Sequence, residues 1–305
     1  MSDNGHGAAG CLRPRRAFLA GLAGTVLLPF TAGCGQGNGG REPQISTLEW
    51  ARRQGRLRIG YANEAPYAYY DTAASRVTGE ASEIARMVLA ELGIKEVEGV
   101  LAEFGSLIPG LKARRFDIIA AGMYILPERC REIAFSDPTY RVGEAFIVAR
   151  GNPHRLHSYA DVVQKPRVRL AVVAGAVQRS YARSTGVPDD RVVVFPDAVS
   201  AMEGVGAGRA EAYAATSLTV NDLLARSAGG LERAAPFVDP VIDGVAVQGY
   251  GAFGFRKMDV ELLDAFNGVL SGFVGTTRHL ELVRPFGFTR QEMPGKVTAE
   301  TLCAV

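Results

Sequence analysis

The sequence predicts an α/β protein of two lobes that are joined by two crossing strands and separated by a cleft. Its 305 residues are enough for two domains. Short apolar runs rich in β-branched residues alternate with amphipathic stretches, as they do in parallel α/β layers. This series occurs once before Gly151 and again after it, and a glycine-rich strand at 245–255 then returns. We therefore expect the chain to build one lobe, cross to the other and come back.

The first series surrounds a buried central strand. An amphipathic helix ends at Gly93, and Ser106 is expected to cap the helix that follows. Pro138 excludes helix from the turn after the central strand. The predicted elements are strands at 57–62, 97–104 and 116–122, helices at 80–92 and 106–114, and a strand at 143–150 that leads out of the lobe.

The second series has the same alternation, and Asp197 is placed to cap a helix that ends at residue 205. Its other elements are predicted as strands at 168–174, 191–195 and 211–215 and helices at 176–183 and 218–225. Two helices, at 259–273 and 276–283, follow the returning strand. With crossings near Arg150 and Gln248, lobe 1 comprises 51–149 and 249–305, and lobe 2 comprises 150–248.

The amino terminus resembles an export signal. Paired arginines at 15 and 16 precede a short apolar stretch that glycine and proline interrupt, which favours a signal peptide of the twin-arginine type at 1–33 over a spanning helix. The sequence T-A-G-C at 31–34 is similar to a lipobox, in which Cys34 would be acylated. An ordinary signal peptide with an incidental cysteine is the alternative. Residues 34–50 are then expected to form a tether. The protein is expected to be periplasmic, or lipid-anchored on the outer face of the cytoplasmic membrane.

Charge and cysteine content bear on nucleic-acid binding, disulfide formation and metal binding. Removal of residues 1–33 leaves 31 basic and 31 acidic residues, so bulk charge gives no reason to expect nucleic acid. Cys130 and Cys303 remain in the exported part, where leftover cysteines often pair, and a disulfide between them is expected; two separate buried thiols are the alternative. The histidines and cysteines lack metal-ligand spacing, so neither a metal nor a cofactor is expected.

The segment 122–140, G-M-Y-I-L-P-E-R-C-R-E-I-A-F-S-D-P-T-Y, carries the strongest family signal. The apolar strand that leads into this segment, the Pro-Glu-Arg sequence and the Phe-Ser-Asp-Pro turn together resemble the polar solute-binding family of ABC importers, which has the type II periplasmic-binding fold. The resemblance extends over about 57–286. It implies a monomeric receptor that closes on a small solute by hinge motion and delivers it to the transmembrane subunits of a permease, with no enzymatic activity.

Candidate ligand residues follow the lobe 1 strands, because ligands of open α/β sheets bind beyond the carboxyl ends of strands. Tyr124 and Arg129 are expected in an exposed loop or short helix, where ligand residues are common. The set provides one carboxylate, one guanidinium and three aromatic rings. Its members are Asn63, Glu64 and Tyr67 after the first strand, Phe104 after the second, and Tyr124 and Arg129 after the third.

Each candidate has an alternative explanation. A guanidinium can hold a carboxylate through two hydrogen bonds, and the family uses the Arg129 position in this way; otherwise Arg129 is a surface residue paired with Glu128 or Glu132. The three rings suit a delocalised cation through cation–π attraction, although each could belong to the core. Glu64 would accept N–H groups of a cationic ligand, or it is a solvated loop charge.

Departures from the family pattern narrow the solute. Leu126 stands where amino-acid receptors usually have Thr, and Thr216 stands where they carry an Asp for the α-ammonium group. The resemblance implies that Thr216 itself contacts the ligand. Within the family, the segments 62–67, 103–112 and 120–125 are most similar to the ectoine/hydroxyectoine-binding subunits. Ectoine, a compatible solute, is a cyclic amidinium carboxylate. Lobe 2 would add backbone N–H donors between Gly175 and Val177, where a helix begins.

Three other functions are compatible with the sequence. One is a polar amino-acid receptor of an ABC importer, and another is an exported enzyme of the cyclohexadienyl-dehydratase type. Against an enzyme, the predicted cleft has no acid/base pair beyond Glu64, and no histidine falls at a strand end. A sensory module is the third, although no output domain is recognisable in the sequence.

Overall fold

The structure is a computed structural model and describes residues 45–242 and 244–304. The predicted signal peptide, Cys34 and most of the predicted tether lie outside these residues. The tether cannot extend to residue 50, however, because α1 begins at Thr47. The Ser46 side chain caps this helix by accepting a hydrogen bond from the backbone N–H of Glu49. None of the described helices is long and apolar enough to cross a membrane.

The first part of the chain alternates strands and helices around the strand that the sequence analysis places at the centre. Its elements are α1 (Thr47–Gln54), β1 (Arg56–Tyr61), β2 (Tyr69–Asp71), β3 (Arg76–Thr78), α2 (Glu80–Glu91), β4 (Glu96–Leu101), α3 (Leu107–Lys112), β5 (Ile118–Tyr124), α4 (Pro127–Glu132), β6 (Ala134–Phe135) and β7 (Tyr140–Val142).

The middle part repeats the alternation and ends in a short hairpin. Its elements are β8 (Glu144–Ala149), α5 (Tyr159–Gln164), β9 (Leu170–Val173), α6 (Gln178–Ser184), β10 (Val192–Phe195), α7 (Ala198–Gly206), β11 (Ala212–Thr216), α8 (Ser217–Arg226), β12 (Leu231–Arg233), β13 (Val241–Ile242) and β14 (Val245–Ala246). The last part contains β15 (Gly249–Phe255), α9 (Val260–Phe273), α10 (Thr277–Val283) and α11 (Ala299–Cys303).

Two mixed sheets form the two lobes. The lobe 1 sheet has the order β4-β1-β5-β15-β6, with β7 also paired to β15. Its first three strands are parallel, and β15 runs antiparallel to its neighbours. The lobe 2 sheet has the order β10-β9-β11-β8-β12, in which β8 is antiparallel to both neighbours. The predicted fold class, a two-lobed α/β fold of the periplasmic-binding type II architecture, is confirmed.

The first passage between the sheets lies at Gly143 and not near Arg150. Strand β8 pairs with β11 and β12, so the segment assigned by sequence to the end of lobe 1 belongs to the lobe 2 sheet. Residues of β8 are buried on both faces, and such a pattern does not reveal which sheet a strand joins. The second passage lies between β12 and β15, and Val245–Ala246 pairs with β13 before β15 begins at Gly249.

Other boundaries shift by a few residues. The second predicted strand ends at Leu101, because Phe104–Ser106 forms a turn of 3-10 helix. Ser106 stands at the start of α3, but its hydroxyl makes no capping hydrogen bond. Asp197 caps α7 as predicted, since its carboxylate accepts the backbone N–H of Ser200. Glycine at 122 does not end the central strand, which continues to Tyr124.

A disulfide joins Cys130 on α4 to Cys303 on α11, with 5.8 Å between the Cα atoms. It links segments 173 residues apart and attaches the carboxyl-terminal helix to the helix that carries Arg129. The carboxylate of Asp137 also accepts the backbone N–H of Ala299 at 2.9 Å. A cross-link of this kind typically stabilises a fold by about 2–4 kcal/mol, because it restricts the unfolded chain.

Candidate ligand-binding cleft

A cavity lies between the two lobes and encloses about 430 Å³ of empty space, its mouth included. The structure brings together in its wall five residues that the sequence analysis placed after three different strands. The lobe 1 residues that line it include Glu64, Tyr67, Phe104, Tyr124 and Arg129, and the lobe 2 residues are Val173, Ala176, Val177, Gln178, Tyr213, Ala215 and Thr216. Asn63 does not line this cavity. It lies at the larger opening toward solvent, where its side chain accepts the backbone N–H of Tyr70.

Arg129 is buried, with 8% of its surface exposed, and this differs from the expected exposed position. Its Nη1 donates to the carbonyl of Tyr124 at 2.9 Å, and its Nη2 donates to the carbonyl of Gly175 in lobe 2 at 3.0 Å. The guanidinium carbon lies 5.5 Å from the centre of the Phe104 ring. Two carbonyls use two of the five N–H groups, so three remain for an anion.

The surface-pair alternative for Arg129 is not observed. Glu132 pairs with Lys112, and among the described residues no carboxylate lies within salt-bridge distance of Arg129. Burial lowers the pKa of Arg129 to about 10, an effect that Glu128 opposes from a distance. The guanidinium therefore stays charged at neutral pH. A buried cation without an acidic partner is costly, and a bound anion would compensate for this cost.

Tyr67 is both a cavity residue and a core aromatic. Its ring stacks on Tyr140 with centres 5.2 Å apart and meets the edge of Phe288 at 6.0 Å. Gly122 makes this position available: its φ is +65°, and a Cβ there would collide with the Tyr67 ring. Tyr67 is therefore a core aromatic that also lines the cavity, and its contact with a ligand stays a prediction.

Tyr124 and Phe104 present different surfaces to the cavity. Tyr124 is buried at the end of β5, and its hydroxyl has no hydrogen-bond partner among the described residues. The backbone of Gly249 lies against its ring, where any side chain would overlap it. Phe104 is half-buried and faces the Arg129 guanidinium. The cavity thus offers one ring with a free hydroxyl and one ring without a polar atom.

Hydroxyl groups link Glu64 of lobe 1 to the start of α8 in lobe 2. Thr219 donates to Glu64 Oε1 at 2.8 Å, and Thr216 donates to Thr219 at 2.9 Å. Thr216 also lies 2.7 Å from the hydroxyl of Tyr67. Together with the bond from Arg129 to Gly175, these contacts hold the two lobes against each other around the cavity.

Glu64 has an unusual acidity for a carboxyl group. Burial between the lobes, with a smaller contribution from Asp197, raises its pKa to about 7 against the opposing effect of the hydrogen bond from Thr219. Its charge consequently depends on pH in the neutral range. A cation bound beside Glu64 would favour the ionised form.

The lobe 2 contribution differs from the expected set of backbone donors. Gly175 offers its carbonyl to Arg129, and the N–H of Ala176 is used by the carbonyl of Val173. The helix begins at Gln178, with Val177 at the preceding cap position. The loop between β9 and α6 thus supplies an acceptor to Arg129. The N–H groups of Gly175 and Val177 have no acceptor among the described residues, so their role as donors to a ligand stays a prediction.

Gln178 and Tyr213 line the cavity as well, although they were not predicted as site residues from the sequence. Gln178 Nε2 donates to both oxygens of Glu144, at 3.1 and 3.0 Å, and Tyr159 donates to Glu144 at 3.3 Å. Burial raises the pKa of Glu144 to about 8. A signal for Tyr213 was present, since it is a single aromatic among alanines in β11; the helix-start position of Gln178 carries no such signal.

Comparison with known proteins agrees with this architecture. Residues 57–282 match the bacterial extracellular solute-binding proteins, family 3, and the chain belongs to this family. Solute-binding proteins of ABC importers bind small solutes and deliver them to permease subunits. The family is extracellular, which supports a periplasmic location.

The similarity to individual relatives and solved structures covers most of this chain. A probable amino-acid ABC transporter periplasmic-binding protein of Sinorhizobium fredii is 41% identical over 263 residues, which are 85% of this chain and 86% of the relative. The crystal structure of EhuB in complex with hydroxyectoine superposes with a TM-score of 0.77 at 34% identity, covering 85% of this chain and 98% of EhuB. An ancestral amino-acid-binding protein, described as a precursor of cyclohexadienyl dehydratase, has a TM-score of 0.68 at 27% identity, covering 79% and 99%.

Proposed function

We propose that the protein captures ectoine or hydroxyectoine outside the cytoplasm and delivers it to an ABC permease. The observation that carries this proposal is the charge inventory of the cavity. Among the described residues that line it, Arg129 is the only cation and Glu64 the only acid, and both belong to lobe 1. Thr216 occupies the place of the ammonium-binding Asp of amino-acid receptors. The site therefore suits a carboxylate joined to a delocalised cation.

The chemistry of ectoine fits each of these groups. Its carboxylate would take the remaining N–H groups of Arg129, and its amidinium N–H groups would donate to Glu64. Its planar amidinium can stack on Tyr67, Phe104 or Tyr124, each good contact contributing about 0.5–2 kcal/mol. An α-ammonium group is compact and strongly hydrated, and it would have to be buried without a carboxylate from lobe 2.

The relatives support two candidate solutes, a compatible solute and a polar amino acid. The EhuB complex with hydroxyectoine, at 34% identity, supports the compatible-solute assignment. The name of the Sinorhizobium relative, a probable amino-acid transporter component, supports a polar amino acid as the second candidate. For an enzyme of the cyclohexadienyl-dehydratase type, the lining of the cavity provides no second acid or base beside Glu64 among the described residues.

Calorimetric titration of the purified protein with ectoine, hydroxyectoine, glycine betaine, glutamine and arginine tests the proposal. We expect ectoine or hydroxyectoine to bind at least tenfold tighter than either amino acid, since two cation–π contacts separate the classes by about this factor. Tyr124→Ala should narrow the difference, whereas Tyr70→Ala, an exposed ring outside the cavity, should leave it unchanged. If an amino acid binds more tightly than ectoine, the protein is an amino-acid receptor.

The proposal includes a lipid anchor at Cys34, which precedes the described residues. Signal-peptide removal and acylation would attach a monomeric receptor to the outer face of the cytoplasmic membrane near its permease. Mass spectrometry of the exported protein is expected to find a lipid-modified Cys34 at the amino terminus, and Cys34→Ser should release the protein into the soluble fraction. An unmodified terminus at another residue would contradict the anchor and leave a soluble periplasmic protein.

A further inference from the structure

Three hydroxyl groups form a continuous chain across the cleft, from Tyr67 through Thr216 and Thr219 to Glu64. The Tyr67–Thr216 step of 2.7 Å and the Thr219–Glu64 step of 2.8 Å each join lobe 1 to lobe 2, and the step of 2.9 Å between the threonines lies within lobe 2. Tyr67 and Glu64 are close in sequence, whereas Glu64 and Thr219 are 155 residues apart. This series of hydrogen bonds can therefore form only when the lobes are closed.

The direction of the hydrogen bonds follows from counting hydrogens. An ionised Glu64 can only accept, so Thr219 gives it its single hydroxyl hydrogen. Thr216 in turn gives its hydrogen to Thr219, and Tyr67 must then donate to Thr216. Every hydrogen in the chain is thus directed toward the carboxylate, which is the arrangement that stabilises the charged form of Glu64.

Thr216 has no capacity left for a solute. Its Oγ1 accepts from Tyr67 and also from the backbone N–H of Thr219 at 3.1 Å, while its hydrogen goes to the Thr219 hydroxyl. A hydroxyl group has one hydrogen and two lone pairs, and all three are used. Thr216 consequently acts on the site through its neighbours, in contrast to the direct ligand role expected from the sequence.

Thr219 is completely buried. Its hydroxyl is not needed to cap α8, because the Thr216 side chain does so. The hydroxyl points instead across the cleft to one oxygen of Glu64. The other oxygen, Oε2, makes no hydrogen bond to any of the described residues, and Glu64 is one of the residues that line the cavity between the lobes. Thr219 therefore fixes the orientation in which Glu64 can meet a cation.

We propose that Thr219 and Thr216 are positioning residues for the cation subsite: they hold Glu64 in its solute-binding orientation and make lobe closure depend on an occupied site. This inference rests on the proposed function, in that the solute carries a cation beside Glu64. A cation at Oε2 keeps Glu64 ionised, the ionised carboxylate orders the hydroxyl chain, and the ordered chain holds lobe 2 closed.

The charge state of Glu64 should make solute affinity depend on pH. The ionisable groups that act on Glu64 from the surrounding elements are Tyr67 and Tyr140 in lobe 1 and Asp197, Glu144 and Tyr213 in lobe 2. The tyrosines stay neutral because burial raises their pKa values, and burial also keeps Glu144 mostly protonated at neutral pH. Affinity for a cationic solute should therefore weaken as pH falls through about 7.

Thr219→Val is the decisive variant, because valine matches the shape of threonine and lacks the hydroxyl. We expect calorimetric affinity for ectoine at pH 7.5 to fall about tenfold, the loss expected for one hydrogen bond to a charged group. The pH midpoint of affinity should move upward, since the Thr219 hydrogen bond holds the Glu64 pKa down. Thr219→Ser should restore both values. Small-angle X-ray scattering at saturating ectoine should show a more open variant than wild type.

Thr185→Val is the matched control. Its hydroxyl donates only to helix carbonyls of Tyr181 and Ala182, and it does not line the cleft. It should bind as the wild type does. Tyr67→Phe provides a second route if Thr219→Val does not fold, because it removes the other end of the chain while keeping the ring; its affinity and pH midpoint should change in the same directions.

The two proposals fail separately. If wild type binds an amino acid more tightly than ectoine, ectoine is the wrong solute. The same variants are then titrated with that amino acid, and a shift of the pH midpoint of affinity still shows whether the hydroxyl groups position Glu64. If Thr219→Val binds its solute like wild type, with the same pH midpoint and the same closure, Thr219 is an ordinary core residue and the inference is overturned.

Discussion

At the scale of single residues, Arg129 shows how a site can be prepared for an anion before the anion arrives. Its side chain is fixed by carbonyls from both lobes and by the face of Phe104, so little side-chain freedom remains to be lost on binding. No acidic partner is present among the described residues to compete with the solute. The carbonyl of Gly175 reaches it only when the lobes are closed, which connects the anion subsite to closure.

Arg129→Ala should nearly abolish solute binding. Removal of one partner of a buried charge pair costs about 2–5 kcal/mol, which corresponds to roughly thirtyfold to several thousandfold in affinity. Arg131→Ala is the control, because Arg131 lies on the same helix and is exposed. Isothermal titration calorimetry of both variants provides the measurement. An unchanged dissociation constant for the Arg129 variant would remove this residue from the site.

At the scale of elements, β15 forms a glycine-lined surface for the rings of lobe 1. Its sequence G-Y-G-A-F-G-F places Gly249 and Gly251 on one face, since alternate residues of a strand share a face. A side chain at Gly249 would overlap the Tyr124 ring, and one at Gly251 would overlap Tyr140. The returning strand is therefore rich in glycine because two tyrosines lie flat against its backbone.

Gly249→Ala should displace Tyr124 and weaken solute binding by about threefold or more, because one cation–π surface is lost from the cavity. The melting temperature should also fall, since an overpacked site in a buried region costs about 1–3 kcal/mol. Gly268→Ala is the matched control: it lies exposed within α9 with open space around it, and alanine there should stabilise the helix slightly. A dissociation constant and a melting temperature equal to those of wild type for Gly249→Ala would show that the Tyr124 ring does not need glycine at this position.

At the scale of the whole molecule, burial raises the pKa values of three carboxyl groups, so the stability of the fold should depend on pH. Burial raises the pKa of Glu64 to about 7 and the pKa values of Glu80 and Glu144 to about 8. Glu80 accepts a hydrogen bond from Thr139 at 2.8 Å, and its other oxygen has no partner within 45–242 and 244–304. In the unfolded chain these groups titrate near 4.5, so between about pH 4.5 and 8 the folded protein binds more protons than the unfolded chain.

The stabilising effect of such a group is complete below its unfolded pKa and is lost as pH rises through its folded pKa. Glu80→Gln removes one of them, so the unfolding free energy of the variant minus that of wild type should increase as pH rises from 5 to 8, because only wild type loses this stability. The slope cannot exceed about 1.4 kcal/mol per pH unit for one proton. Urea unfolding at three pH values measures it, with exposed Glu261→Gln as the control. A constant difference between Glu80→Gln and wild type would show that Glu80 is ionised in the folded protein.

The sequence by itself determined which residues lie at the ends of the lobe 1 strands. Hydrophobic periodicity identified the strands and helices to within a few residues, and parallel strands present their carboxyl ends at one edge of the sheet. Glu64, Phe104, Tyr124 and Arg129 could therefore be assembled from local patterns alone. The family followed from the segment around Arg129, because its residue order is specific.

Only the tertiary structure decided how lobe 2 meets this edge. The assignment of β8 to the lobe 2 sheet, the Thr219 bond to Glu64 and the Gly175 carbonyl on Arg129 all join residues that are distant in sequence. A buried strand or a threonine in a helix has no local property that names its partner across a cleft. Lobe closure brings such groups within hydrogen-bond distance, and their partners depend on the relative placement of two lobes, which periodicity does not encode.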